Sequence, residues 1–274
     1  MNEKIDKIIY DALEEDIPTI DVTTDNLFSD EVSEGVFVAE DDGVLSGIRV
    51  MKRVFEILDD EIYVKVINGD GVYVEKGDII AIIKGHTKQI LKGERIALNI
   101  VQRMSGVATL TKKFVDEINN NHTKILDTRQ TTPNLRILEK QAVLDGGGIN
   151  HRMNLSDQVM LNDNHIKIAG SIKRAVDIVK SKIDQSIKIE VKVKTFDQFL
   201  EAIQTNCDII MLSNMKNDLV RKCVEYNTDK LLEASGNMTI DRIKSVSETG
   251  VDFISVAVLT HSYTALDISL KFSK

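Results

Sequence analysis

The sequence predicts an α/β protein in two parts, a strand-rich α+β unit followed by an open barrel of alternating strands and helices. Three observations carry this. From Val36 to about Lys88, short β-rich runs are punctuated by Gly43, Gly47, Gly69, Gly71 and Gly77. Beyond about residue 110 the pattern changes to short β-branched segments alternating with amphipathic ones, the rhythm of parallel βα units. That alternation supplies six strands, fewer than the eight of a closed barrel, so the barrel is expected to be incomplete or open.

The elements follow in order. Residues 2–15 carry Ile5, Ile8, Ile9 and Leu13 at helical spacings, and Pro18 ends that helix. EDIPTIDVTTDNLF then reads as a loop. VFVAE, GVLSG, IYVKVI and VYVEKGDIIAIIKG read as strands, with helix-like stretches at 48–58 and 91–119. In the second part the strands are KILDT, QVMLN, IKIEVKV, CDIIMLS, LLEAS and FISVA. Residues 134–145, 170–183, 195–205, 216–226 and 239–248 form the helices between them. Each strand runs into polar or small residues at its C-terminal end, where βα barrels place their chemistry.

Composition removes several functions. A net charge of -8 and a pI near 5.3 argue against nucleic acid or an acidic membrane surface, both of which need a basic footprint. No apolar run approaches the roughly 20 residues of a membrane span, and the charged N-terminus is unlike a secretory signal. A soluble, cytoplasmic protein is expected. Cys207 and Cys223 form no CxxC pair, so no disulfide framework is expected. His86, His122, His151, His165 and His261 lack the short spacings of a zinc site, and no protein-held metal is expected.

The chemistry concentrates in residues 127–165. Arg129, Arg136 and Arg152 offer planar donor forks suited to carboxylates and phosphates. DTR puts Arg129 at the end of a strand, or Asp127 serves only as a structural ion pair with an arginine. Gly146–Gly148 precede Asn150, His151 and Arg152, which suits either a flexible turn or a backbone thin enough for a ligand to approach. DNH at 163–165 reads as an Asx turn or cap, or as part of the site. Ser235 and Gly236 follow the strand LLEA and present backbone N–H groups to a phosphate, or make a simple turn.

Taken in order, GERIALNIVQRMSGVAT, DTRQTTPNLRILEKQAV, GGGINHR, DNHI, IEVKV, IMLSNM, EASGNM and TGVDFISVAVLTHS resemble the quinolinate phosphoribosyltransferase family. The resemblance runs over essentially the whole chain. It implies an N-terminal α/β sandwich-like domain plus an open six- or seven-stranded α/β barrel, here residues 1–110, with 266–274 packing back on them, and residues 111–265. It implies a reaction of quinolinate with phosphoribosyl pyrophosphate and Mg²⁺, giving nicotinate mononucleotide, pyrophosphate and CO₂ in NAD biosynthesis. The implied ligand is thus a small aromatic dicarboxylate. It also implies a homodimer, or a higher oligomer, in which Arg95 of the partner subunit joins Arg129 and Arg152 as a clamp on the two carboxylates. His151 and Thr128 stand with that clamp, and Ser235, Gly236 and the position of Ala257 face phosphate.

Four positions depart from the family pattern. Gln130 stands where the pattern has lysine in DTRK, and Asn162 where it has the lysine before NH. Lys192 replaces the second acid of EVE, and Ser213 replaces the aspartate of MLDN. These are the positions that supply two lysines for substrate anions and two acids for ribose and metal, so their summed charge moves from about zero to about +1. Ala257 and Val258 lie where the family has SVGAL, and a methyl there can block an anion from the backbone. Asn134 and Asn154 replace glycines but tolerate positive φ better than other residues. The departures also admit an alternative, a paralogue that keeps the dicarboxylate clamp without phosphoribosyl transfer.

Overall fold

The computed structural model describes residues 3–118 and 122–272. The expected helix ends at residues 2 and 119, and residues 273–274 of the C-terminal segment, lie outside them. In chain order the elements are α1 (Glu3–Asp16), α2 (Thr24–Leu27), β1 (Val32–Ala39), β2 (Gly43–Val44), α3 (Ile48–Leu58), β3 (Tyr63–Val66), β4 (Tyr73–Val74), β5 (Ile79–His86) and α4 (Thr87–Asp116). There follow β6 (Lys124–Leu126), α5 (Arg136–Asp145), β7 (Val159–Leu161), α6 (Asp163–Ala169), α7 (Ile172–Lys180), β8 (Ile189–Val193), α8 (Phe196–Ile203) and β9 (Ile209–Ser213). The last are α9 (Asn217–Tyr226), β10 (Leu231–Ser235), α10 (Ile240–Ser247), β11 (Phe253–Ser255), α11 (Val258–His261) and β12 (Ile268–Phe272). The chain divides into two compact units, Met1–Lys112 with Thr131–Gly147 and Leu259–Lys274, and Lys113–Gln130 with Gly148–Val258.

The first unit is built on a four-stranded sheet in the order β12-β1-β5-β3, with each pair antiparallel. β12 pairs along β1 from Gly35↔Phe272 to Ala39↔Ile268, which ties the C-terminal segment to the N-terminal sheet. α3 buries Ile48, Val50, Met51, Val54 and Phe55, each apolar side chain contributing about 1.5–3 kcal/mol by leaving water. Phe55 meets Phe37 of β1 with ring centroids 6.0 Å apart.

In this unit one local expectation needs correction, and one of two alternatives is selected. The segment read as a loop contains α2, because the Asp21 Oδ1 accepts the Thr23 and Thr24 N–H groups at 3.0 and 2.9 Å and organises the first turn. Of the three consecutive glycines, Gly146 is packed so closely that an added Cβ would lie 2.4 Å from the Ala108 carbonyl oxygen. Gly147 turns at φ 86°. Packing and a turn, rather than room for a ligand, explain these two glycines.

The second unit holds a six-stranded parallel sheet in the order β6-β11-β10-β9-β8-β7. Sequence neighbours are spatial neighbours from β7 to β11, and β6 completes the far side, as right-handed βα winding produces. Beyond β6, Ile149 makes a parallel bridge with Leu126. Among the described residues no ladder joins that edge to β7, so the sheet stays open, as six strands led one to expect. In β8, Ile189, Val191 and Val193 are fully buried on the face that packs against α7 and α8. Glu190 and Lys192 alternate with them and take the inner face.

Candidate functional site

The inner face of the second unit is unusual for the charge it buries. His151, in the segment after the glycines, lies with its Nε2 2.9 Å from Glu190 Oε2 of β8 and 3.4 Å from Glu233 Oε2 of β10. The three side chains are 7%, 0% and 1% exposed. Nε2 sits off the line of a good hydrogen bond to either oxygen, so the contact is an ion triad rather than a shared linear bond. Burial pushes the imidazole down, but the two carboxylates outweigh it and raise His151 to about 10. Desolvation and the neighbouring Glu233 charge push the Glu190 carboxyl above the usual carboxylate range. The Arg152 N–H donates to His151 Nδ1 at 2.7 Å, which leaves Nε2 turned toward the two carboxylates. The cluster works as a buried charge lock, and the same three side chains are also placed within reach of a common ion.

Backbone and side-chain bonds hold this lock in place. Asp127, fully buried at the end of β6, accepts the His151 N–H at 2.8 Å through Oδ1, a charge-assisted bond of about 1.5–3 kcal/mol. The Ile149 N–H donates to the Ile125 carbonyl at 2.9 Å, and the Asp127 N–H to the Ile149 carbonyl at 3.2 Å. Gln158 joins two partners at once: its side-chain Nε2 donates to Glu190 Oε2 at 2.9 Å, and its backbone carbonyl accepts from Arg152 Nη1 at 3.1 Å. The chain from β6 to Arg152 is thereby fixed against β8 and β10.

Arg152 lies within electrostatic reach of a second guanidinium, that of Arg129. Burial and the adjacent Arg129 charge both hold Arg152 below the usual guanidinium range. The Arg152 Nε is buried without a hydrogen-bond partner among the described residues, which is a costly arrangement for a donor. An anion received between the two guanidiniums would relieve both the repulsion and the unmet donor.

The strand ends carry hydroxyls. Ser213 of β9 lies in register with Ser235 of β10, and Ser235 with Ser255 of β11. Ser235 follows Glu233 on the same face, so all three serines line the inner side at the C-terminal ends. Just beyond, Gly236 has φ 98°, and Asn214 and Asn237 have φ 55° and 49°. A Cβ at Gly236 would lie 2.2 Å from Asn214 Oδ1, so the position requires glycine for space as well as for conformation.

The other anticipated positions behave differently from one another. Asn162 caps α6: its Oδ1 accepts the Asn164 and His165 N–H groups at 3.1 and 3.2 Å, and its own N–H meets His165 Nδ1 at 3.2 Å. DNH is thus a capped helix start. Gln130 is exposed, and its N–H donates to Thr128 Oγ1 at 3.0 Å. Lys192 is half-buried two residues beyond Glu190, and Ala257 sits between β11 and α11. In the first unit, Arg95 is exposed on α4. Arg136 Nε donates to Thr131 Oγ1 at 2.8 Å, which places it within its own turn. Asn134 has φ 67°, as a glycine replacement should. Asn154 does not adopt positive φ; its Oδ1 instead accepts the Ser156 N–H at 2.7 Å in an Asx turn.

Glu190, Glu233, Gln158 and Ser255 were not singled out from the sequence. The signal available was a lone glutamate inside each of two apolar strands, IEVKV and LLEAS. Arg103 of the first unit was also missed. It donates to Thr132 and to the fully buried Glu139, and stacks 5.1 Å from the Tyr263 ring.

Residues 21–105 match the N-terminal domain and residues 107–271 the C-terminal domain of quinolinate phosphoribosyl transferase. A Bacillus subtilis protein named as a probable nicotinate-nucleotide pyrophosphorylase, carboxylating, is 38% identical over 97% of this chain and 93% of its own length. A Nicotiana tabacum mitochondrial quinolinate phosphoribosyltransferase, decarboxylating, is 39% identical over 88% of this chain and 74% of its own. The solved nicotinate-nucleotide pyrophosphorylase of Francisella tularensis superposes with a TM-score of 0.95 at 36% identity, covering 100% of this chain and 97% of that one.

Proposed function

The chain belongs to the quinolinate phosphoribosyltransferase family, and from that premise we propose that it transfers phosphoribose from phosphoribosyl pyrophosphate to quinolinate. The products are nicotinate mononucleotide, pyrophosphate and CO₂. The observation that carries this reading is the pair of mutually repelling guanidiniums, Arg129 and Arg152, the latter next in sequence to His151 of the buried His151, Glu190 and Glu233 lock. Such a pair suits a ligand with two adjacent carboxylates.

In the reaction the pyridine nitrogen forms a bond to C1 of the ribose while the C1–oxygen bond to pyrophosphate breaks. Loss of the ring 2-carboxyl as CO₂ leaves an electron pair on carbon, which takes a proton. Arg129 and Arg152 orient the ring by its carboxylates, a positioning effect that supplies much of the barrier reduction in such transfers. The lock keeps Arg152 aimed. Thr128 shapes the turn next to Arg129 through its bond from the Gln130 N–H. Ser235 and Gly236 stand at the strand end for a phosphate.

Family resemblance also supports a homodimer in which the exposed Arg95 reaches a second copy's arginine pair. In this reading residues 1–110 with 266–274 serve as the covering domain, and residues 111–265 as the barrel. No helix of the described residues is long and apolar enough to cross a membrane.

The magnesium ion that the family implies does not fit the donor set. Hard divalent cations are held by carboxylate and other oxygen ligands, and the strand ends offer Lys192, Ser213, Ser235 and Ser255. Glu190 and Glu233 are locked on His151, Asp163 pairs with Lys194 at 2.6 Å, and Asp157 accepts the Met153 N–H at 2.6 Å. The test of the reaction is direct: purified protein given quinolinate, phosphoribosyl pyrophosphate and magnesium should yield nicotinate mononucleotide and pyrophosphate, and no product above blank at high enzyme concentration would refute it.

A further inference from the structure

Lys192 is a cation on a face where a metal-binding site would need the opposite charge. It follows Glu190 by two residues on the inner side of β8, one step closer to the C-terminal mouth, roughly 6–7 Å along the strand. It is half-buried, and among the described residues its ammonium makes no hydrogen bond or ion pair, while Glu190 Oε2 takes its contacts from His151 and Gln158 instead. A desolvated, unpaired ammonium is unfavourable by itself. It marks a place where an anion belongs.

The hydroxyl row supplies the second observation. Ser213, Ser235 and Ser255 stand side by side on three adjacent strands, at the inter-strand spacing of about 4.8 Å. Ser255 is 4% exposed, and its Oγ is buried without a hydrogen-bond partner among the described residues. Each serine hydroxyl can donate one hydrogen bond to an anionic oxygen. With Ser213 neutral the row itself carries no negative charge, and Lys192, in register with Met211 two residues before Ser213, stands diagonally below the row and can bring it the charge that a metal would otherwise supply.

We propose that this mouth receives the diphosphate group of the donor, and the released pyrophosphate, directly on Lys192 and the Ser213, Ser235 and Ser255 row, without a divalent metal. The identity of the anion rests on the phosphoribosyl-transfer reading; the site itself rests on Lys192 and the serines. Bound in this way, the diphosphate meets a fixed ammonium that balances the charge growing on the leaving oxygen as the C1–oxygen bond breaks.

The test uses inorganic pyrophosphate as probe, titrated calorimetrically into the full-length protein in excess EDTA. Saturable binding is expected, weakened about tenfold to a hundredfold in Lys192→Met, the range for losing a hydrogen bond to a charged group. Ser255→Ala is a second variant, expected to weaken binding about threefold to tenfold, should Lys192→Met fail to fold. Lys192→Glu combined with Ser213→Asp should bind pyrophosphate only when magnesium is added. Absence of pyrophosphate binding in EDTA, or binding by the natural protein that requires magnesium, overturns the proposal, as does full affinity in both single variants. The reaction is scored separately. Product formed with magnesium but reduced by more than about a hundredfold in EDTA, the scale of a catalytic metal's contribution, would refute metal independence and leave the reaction standing. Pyrophosphate binding in EDTA with no product in any buffer would do the reverse.

Discussion

Replacing His151 by asparagine tests the buried charge lock, because it removes the side chain that contacts both Glu190 and Glu233. In the folded protein those carboxylates raise His151 from 6.5 to about 10. At about 1.36 kcal/mol per pH unit, that corresponds to about 5 kcal/mol of extra proton affinity in the fold. Keeping two carboxylates out of water offsets part of it, so a net loss of about 3 kcal/mol is expected on substitution, the low end of the cost of breaking a buried ion pair. The sign follows from linkage. The folded value lies above the unfolded one, so the contribution is complete below pH 6.5 and is lost as pH rises through about 10. Urea denaturation followed by hydrogen exchange in peptides of β8 and β10 reads the second unit directly. His151→Asn should be less stable than the natural protein by about 3 kcal/mol near pH 6.5, with the gap closing to under about 1 kcal/mol above pH 10. A gap under about 1 kcal/mol at pH 6.5, or one that persists undiminished above pH 10, would refute the charge lock.

Two further predictions concern neighbouring residues. Arg152→Lys keeps the charge but loses the planar fork, and calorimetry should show quinolinate affinity falling about tenfold to a hundredfold; unchanged affinity would mean that Arg152 does not hold a carboxylate. Asn162→Ala removes both cap acceptor bonds of α6 and should cost about 1 kcal/mol in thermal or urea unfolding, whereas Asn162→Asp should retain most of the stability. Equal losses in the two variants would remove the capping explanation.

Much of the second unit was legible because βα alternation is written locally. Ile189, Val191 and Val193 show their buried face in a five-residue window, and the strand ends announce themselves by polar residues. The first unit was less legible at its joints. Asp21 starts α2 through two hydrogen bonds that no apolar pattern reveals, and the membership of α5 in the first unit depends on Arg103 meeting Glu139, 36 residues away. The arginine half of the site was visible from residue chemistry. The lock beneath it was not, because His151, Glu190 and Glu233 are brought together by sheet register over separations of 39 and 43 residues. Only the oddity of a glutamate in an apolar strand pointed there.

The four departures from the family pattern are not equivalent once their surroundings are known. Asn162 is committed to the helix: its carbonyl oxygen serves two amides of α6, a task that a lysine side chain has no acceptor to perform. Gln130 lies exposed on a turn made by Thr128, where a change of charge is screened by solvent. Lys192, half-buried, and Ser213, buried, face the inner side of the sheet, where the reduced dielectric strengthens the effect of a charge. The consequence of divergence for chemistry therefore falls on this second pair. It exchanges two acids for an ammonium and a hydroxyl at the same end of neighbouring strands, and such a change converts a place that attracts cations into one that attracts anions.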